Sequence, residues 1–181
     1  MVGFCIAIPG LRNGKGYLHS HMLGTLPSYQ DKHLGRTLKL MQRDDALARG
    51  VTLIEWTFDP LELKNAFFNI ERLGVIVRRY VPNQYGQSSS VLQSGLPSDR
   101  LVAEGWITHP PFSKNRGELR IEVPADIVAV KNQDHQKALP VQARLASEFQ
   151  EAFRKGYAAT GFERGEVTSA YLLEKIEEPT L

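Results

Sequence analysis

The chain opens on an unbroken apolar run, Val2 to Ile8, rich in β-favouring residues and followed by Pro9-Gly10. That pattern predicts a buried strand stopped at the Pro-Gly turn. Asn13-Gly14-Lys15-Gly16 carries a strong hairpin signal, so Tyr17 to Leu26 is expected as the returning strand. After a polar loop the apolar period lengthens to that of a helix. Leu34, Leu38, Met41 and Ala48 fall on one helical stripe with charged residues opposite, and Gly50 stands where a left-handed cap would end it.

Val51 to Phe58 reads as the next strand. Asp59-Pro60 has the chemistry of a helix start, with the acid as N-cap and proline at the first helical position. The pattern then runs through Asn65 and Phe68 to Leu73, closed by Gly74. Val75 to Val81, Leu101 to Ile107 and Leu119 to Val123 read as strands, and Asn83 to Ser98 as a mobile or site-lining loop. A helix over Leu139 to Tyr157, with Ala143, Ala146, Phe149 and Phe153 on one face, leads into a hairpin. Its strands are Tyr157 to Phe162 and Val167 to Leu173, turning at Arg164-Gly165. The order β-β-α-β-α-β-β followed by α-β-β defines a mixed α/β sandwich. The expected division is a core over residues 1–123 and a helix–hairpin extension over 124–181 that packs on it.

Composition narrows the function classes. An apolar fraction of 42% and a charged fraction of 23% suit a globular protein with a real core. A net charge of +2, with no long basic run and no aromatic–basic repeat around Trp56, Arg79 and Tyr80, argues against nucleic acid as a partner. Cys5 is the single cysteine, which excludes an intrachain disulfide and a cysteine-rich zinc site and points to the cytoplasm. Val2 to Pro9 is too short to span a bilayer and follows no basic stretch, so no membrane association is expected.

The chemistry concentrates between Leu23 and Arg36. A strand ends, a loop turns, and a helix opens at a glycine-containing turn. Main-chain N–H groups at a helix start, together with the positive end of its dipole, make an anion site. Lys32, His33 and Arg36 add side-chain donors suited to phosphate.

Gln30, Asp31, Lys32, His33, Leu34 and Gly35 resemble the acetyl-CoA-binding motif of the GNAT superfamily: Gln or Arg, two variable residues, Gly, one variable residue, then Gly or Ala. The first and last positions match, and His33 replaces the middle glycine. His19 to Thr25, Ile54 to Pro60, Asn65 to Gly74, Arg79 to Gly86 and Asp99 to Val102 are similar to one bacterial group of predicted GNAT acetyltransferases. So are Glu122 to Ile127 and the region around Gly156-Tyr157, which extends the resemblance over nearly the whole chain.

The resemblance implies an α+β fold with a mixed, largely antiparallel sheet flanked by helices. Residues 1–123 would then form an acyl-CoA-binding core. It implies a reaction in which a small amine takes the acetyl group of acetyl-CoA. Main-chain groups of Leu23, Gly24 and Thr25 would pair with the pantetheine arm, and the strand ending near Thr57-Phe58 would form the other side of a V. The positions from Gln30 to Arg36 would hold the pyrophosphate. Asn65 lies close to the place of a helix asparagine that many relatives carry.

In relatives a glutamate on the coenzyme strand serves as base. Here that place is His19, with His21 expected on the same strand face, and histidine suits proton acceptance at neutral pH. The tyrosine that usually serves as acid is replaced by Ile70, which leaves Tyr80 or Tyr85 as substitutes. Glu55 and Glu104 are in-strand carboxylates, read either as facing the cleft or as solvated sheet residues. The superfamily normally has a strand, two helices and a further strand ahead of the point where this chain begins. The first strand would therefore present a free edge, and a homodimer shielding it is expected. A coenzyme-binding or structural module without turnover is the alternative, favoured by His33, Ile70 and the missing front.

Overall fold

A computed structural model describes residues 1–30, 32–86, 96–109 and 117–177. Eight strands and four α-helices follow in the order β1 (Gly3–Arg12), β2 (Lys15–Thr25), α1 (Leu34–Ala48), β3 (Leu53–Phe58), α2 (Leu63–Phe67), β4 (Ile76–Val81), β5 (Arg100–Trp106), β6 (Leu119–Pro124), α3 (Ile127–Gln133), α4 (His135–Arg154), β7 (Tyr157–Glu163) and β8 (Thr168–Lys175). The strands hydrogen-bond in the order β1-β2-β3-β5-β4-β7-β8-β6. Pairing is antiparallel for β1 with β2, β4 with β7, β7 with β8 and β6 with β8, and parallel for β2 with β3. The sheet is thus mixed and largely antiparallel, as the sequence pattern and the resemblance predicted.

By compactness the chain divides into two units, one built on Met1–Trp56 with a stretch beginning at Glu104, the other on Thr57–Ala103 with the later residues through Glu177. This partition differs from the expected 1–123 and 124–181. The terminal hairpin and α4 share their core with β4 and α2, so compactness groups them together.

In the first unit β1 forms an end of the sheet order, and Ile6, Ile8 and Leu11 along it are exposed. Helix α1 lies against β1 where the side chain is smallest: a Cβ at Gly3 would sit 3.2 Å from Leu38 and 3.3 Å from Leu34. The predicted stripe needs two corrections. Met41 and Ala48 are exposed, and Ala46 is the fully buried residue of the helix. Gly50 takes the left-handed conformation expected of it, with φ +71°.

The core of the second unit is aromatic. Phe149 of α4 meets Tyr171 edge-on with ring centres 5.0 Å apart, Tyr171 meets Phe162 at 4.8 Å, and Tyr80 stacks on Phe149 at 6.0 Å. The inward face of α4 is Ala138, Gln142, Leu145, Phe149 and Ala152, so Ala143 points outward, against expectation. Tyr171 donates to the Pro60 carbonyl (2.8 Å) and Tyr80 to Asp99 (2.6 Å). Burial raises both phenols well above their ordinary range, and the Asp99 carboxylate reinforces the effect at Tyr80. A group whose folded-state value lies above its unfolded value contributes stability below the unfolded value and loses it as pH rises. The unfolded value is about 10. Urea midpoints are therefore expected to hold steady through neutral pH and fall above about pH 10, and Tyr80→Phe should flatten part of that fall.

Four boundaries depart from the sequence expectation. Strand β1 continues through Pro9 to Arg12; Pro9 stands opposite Leu18 on an end strand, where a missing N–H costs the ladder little. Asp59 caps a turn and not a helix, its Oδ1 accepting from the Leu61 N–H (2.8 Å); α2 starts at Leu63 and passes into a π-helical turn over Phe68–Arg72. Helix α3 was not anticipated. Helix α4 begins at His135, ahead of Pro140. Asp134 accepts from the Gln136 N–H at 3.1 Å and supplies the cap. Among the described residues no helix is long and apolar enough to cross a membrane.

Candidate functional site

The parallel pairing of β2 with β3 sets Leu18 beside Ile54 and His19 beside Glu55. Paired residues on neighbouring strands point to the same face of a sheet. The His19 Nδ1 accordingly lies 3.9 Å from Glu55 Oε1. Arg12, the last residue of β1, reaches over the same face to bond Glu55 and to approach Glu104 Oε1 at 3.5 Å. The Trp106 indole N–H donates to the other Glu104 oxygen at 3.0 Å. Glu55 and Glu104 are 6% and 1% exposed, so the expectation that they are solvated sheet residues is wrong. A buried carboxylate persists as an anion only where cations or donors satisfy it, and Arg12 supplies that partner. Sequence reasoning missed Arg12 because its partners lie far along the chain.

The pairing of β2 with β1 carries an irregularity at the same level. Ile6 stands opposite Met22, yet the next residue, Ala7, stands opposite Ser20, so His21 is an extra residue on β2. Such a bulge bends a strand and interrupts its alternation. The same-face expectation for His19 and His21 rested on unbroken alternation. The bulge removes that premise, yet the two rings still lie 6.2 Å apart, His19 half-buried and His21 exposed. Past this point β2 runs on from Ser20 to Thr25, while its pairing with β3 among the described residues covers Leu18 and His19. Leu23, Gly24 and Thr25 pair with Cys5, Phe4 and Gly3 of β1. A side chain at Gly24 would have to displace the Phe4 ring, whose edge lies 2.9 Å from where the Cβ would sit.

Beyond β2 the chain makes a short 3-10 turn over Pro27–Tyr29 and enters α1 at His33. His33 is left-handed, with φ 58° and ψ 9°. This is the position at which the motif has glycine, the residue that adopts such a backbone without cost. The first intrahelical bond runs from the Thr37 N–H to the His33 carbonyl (3.0 Å). The N–H groups of Leu34, Gly35 and Arg36 precede it, and the His33 side chain does not cap them. Gln30, Lys32, His33 and Arg36 are exposed around this end, with the Lys32 ammonium 5.0 Å from the Tyr29 ring centre. Leu23 lies near the helix start: a Cβ on Gly35 would sit 3.7 Å from its side chain. Asp31 lies outside the described residues, as do residues 87–95 of the expected site-lining loop.

The remaining candidates belong to the second unit. Tyr80 is buried and its hydroxyl is engaged by Asp99, so its proton is held in place. Tyr85 is exposed, with its hydroxyl 3.3 Å from that of Thr57. Asn65 is on the exposed side of α2, while Asn69 in the following turn is buried. Ile70 is fully buried. Among the described residues no group of three or more His, Cys, Asp or Glu is arranged to hold a metal ion.

No protein-family model matches this chain, and no curated protein matches it. Among solved structures it is similar to a chain in the crystal structure of Chaetomium thermophilum Naa20 in complex with a bisubstrate analogue. Sequence identity is 15%, the TM-score is 0.49, and the match covers 63% of this chain. It spans 66% of the Naa20 chain, just under two thirds.

Proposed function

We propose that this protein moves an acetyl group from acetyl-CoA to the amine of a small molecule. One observation carries the reading: a bulged strand whose pairing with β3 among the described residues covers Leu18 and His19 leads, by one short turn, into a helix start with left-handed His33, flanked by Lys32 and Arg36. The strand past that pairing suits the amide groups of a pantetheine arm, and the helix start suits a pyrophosphate. The residues present fit both parts of acetyl-CoA, which brings the activated thioester carbonyl.

On this reading His19 takes the proton that the attacking amine must lose, and Glu55, 3.9 Å from its Nδ1, orients the ring. Arg12 fixes Glu55 in turn. His21, at the exposed side of the bulge, faces the solvent from which an acceptor arrives. Calorimetric titration with acetyl-CoA followed by a thiol-release assay against a panel of amines tests this. Saturable binding, weakened by added salt, with amine-dependent release is expected. No heat of binding in low salt would overturn the assignment.

His33 permits a sharper test. A non-glycine residue in the left-handed region carries a strain of about 1 kcal/mol, and its Cβ crowds the approach to the helix start. The strain is present with and without ligand and cancels from the affinity, so His33→Gly is expected to tighten acetyl-CoA through the removed Cβ alone, with fold stability changing by less than about 1 kcal/mol because glycine is also more flexible when unfolded. Weaker binding by the variant would mean that the imidazole itself holds the anion.

A second reading is a coenzyme-binding module without turnover. It is favoured by the engagement of Tyr80 with Asp99 and by the apolar Ile70 where relatives carry an acid. Binding without thiol release for any amine would support it.

A further inference from the structure

The face of the first unit opposite His19 carries a second reactive cluster that the acetyl-transfer reading leaves unused. Lys39, on the second turn of α1, points back to the sheet and not to water. Its ammonium donates to Ser20 Oγ at 2.7 Å and sits 3.7 Å from the centre of the Trp56 ring. Ser20 Oγ in turn lies 3.6 Å from the Cys5 thiol. Ser20 is buried, and Lys39 is half-buried and so keeps part of its side chain in water. Among the described residues no carboxylate pairs with Lys39. A cation held by a ring and a hydroxyl in place of an anion is poorly compensated for lost hydration.

We propose that the Lys39 ε-amine is a covalent acylation site, modified in its neutral form by acyl thioesters. The amine lone pair attacks the thioester carbonyl carbon, the C–N bond forms and the C–S bond breaks. The electron pair of that bond leaves on sulfur, and the proton shed by nitrogen passes by way of Ser20 Oγ to the departing thiolate. The products are an Nε-acyl-lysine and a free thiol, with no oxidant or reductant involved.

The electrostatics favour the neutral amine. Burial lowers the Lys39 titration from 10.5 to about 8, opposed in part by Cys5. The groups that face it are few. On β1 the titratable neighbour is Cys5, and on β2 and β3 they are the uncharged Ser20 and Trp56. On α1 itself the residues at i−3 and i+4 are Arg36 and Arg43, both exposed and neither an anion that would restore the charge. A lysine that sheds its proton near neutral pH is the nucleophilic kind. Acylation would erase the charge that rests on Trp56 and add bulk beneath α1, the helix whose first turn forms the candidate phosphate site.

The test uses the intact chain, limiting amounts of two probes and peptide mapping by mass spectrometry. One probe is S-acetyl-N-acetylcysteamine, a thioester with no nucleotide; the other is acetyl-CoA. Lys39 is expected to label on the order of tenfold faster than the exposed Lys137 and Lys155 at about pH 7.5, and its rate should level off above about pH 8 while theirs keep climbing. Lys39→Arg should remove that label and leave the others unchanged. Labelling of Lys39 no faster than of Lys137 with either probe overturns the proposal, and so does acylation of Cys5 in its place. The proposal and the acetyltransferase reading fail separately. Selective labelling by the nucleotide-free probe, with no calorimetric binding of acetyl-CoA, upholds the lysine site and sinks the enzyme. Uniform lysine labelling with clear acetyl-CoA binding does the reverse.

Discussion

Replacing both carboxylates that hold Lys131, in the double variant Asp59→Asn with Glu62→Gln, is expected to cost about 3–5 kcal/mol of folding stability. Lys131, on α3, is 2% exposed, and its ammonium bonds Asp59 at 3.0 Å and Glu62 at 2.6 Å. Burial alone would draw its titration down, but the paired carboxylates overcome that and hold it raised. Its share of stability is thus present through neutral pH and is lost only in strong alkali. Removing the anions leaves a charge with little water around it, the costly way to break such a group. Lys131→Met should cost much less, because Asp59 and Glu62 are 20% and 34% exposed and keep part of their hydration when left alone. The two urea midpoints check this asymmetry. Equal losses would mean that the carboxylates and the ammonium are equally desolvated on breaking.

The second large effect concerns turnover. His19→Ala is expected to lower amine-dependent thiol release by about 10²-fold or more, the usual contribution of a positioned base. Calorimetric affinity for acetyl-CoA should stay within about twofold, because His19 faces away from α1. Glu55→Gln should produce a smaller loss of the same kind, since the amide can still orient the ring but cannot stabilise its cation. Added imidazole restoring part of the His19→Ala rate would separate loss of a base from loss of structure. Full activity in His19→Ala would assign the proton transfer elsewhere, with His21 the next residue to change.

Most of this architecture could be read from hydrophobic spacing, because strands and amphipathic helices bury one side. Gly50 and Gly74 were legible as terminators, and both adopt the left-handed backbone that only glycine takes freely. Where spacing and local chemistry disagreed, tertiary context decided. Pro9 reads as a stop, yet end-strand position lets the pairing continue past it. Pro140 reads as a barrier, yet it lies inside α4. Asp59 has the right identity for a cap, but its second oxygen belongs to Lys131.

The candidate site was only half legible. Gln30 to Arg36 could be singled out because an anion cradle is a local arrangement of consecutive residues. The Arg12–Glu55–Glu104 group and the burial of Lys39 are products of strand order and helix docking, which no short window of sequence encodes. The same holds for Tyr80, a plausible acid by residue type whose proton is committed to Asp99.

The additional residue at His21 works as a phase shift in the strand. Ahead of it, His19 lies beside Glu55 on one face; behind it, Leu23 lies near Gly35 on the other. The offset is already absorbed by the extra residue, because Ser20 pairs with Ala7 and Met22 with Ile6, successive residues of β1. Deleting His21 would therefore remove the bend and leave Met22 to Thr25 on the faces they now occupy, with Leu23 still beside α1. A single-codon deletion is expected to spare acetyl-CoA affinity while straightening the strand beside His19.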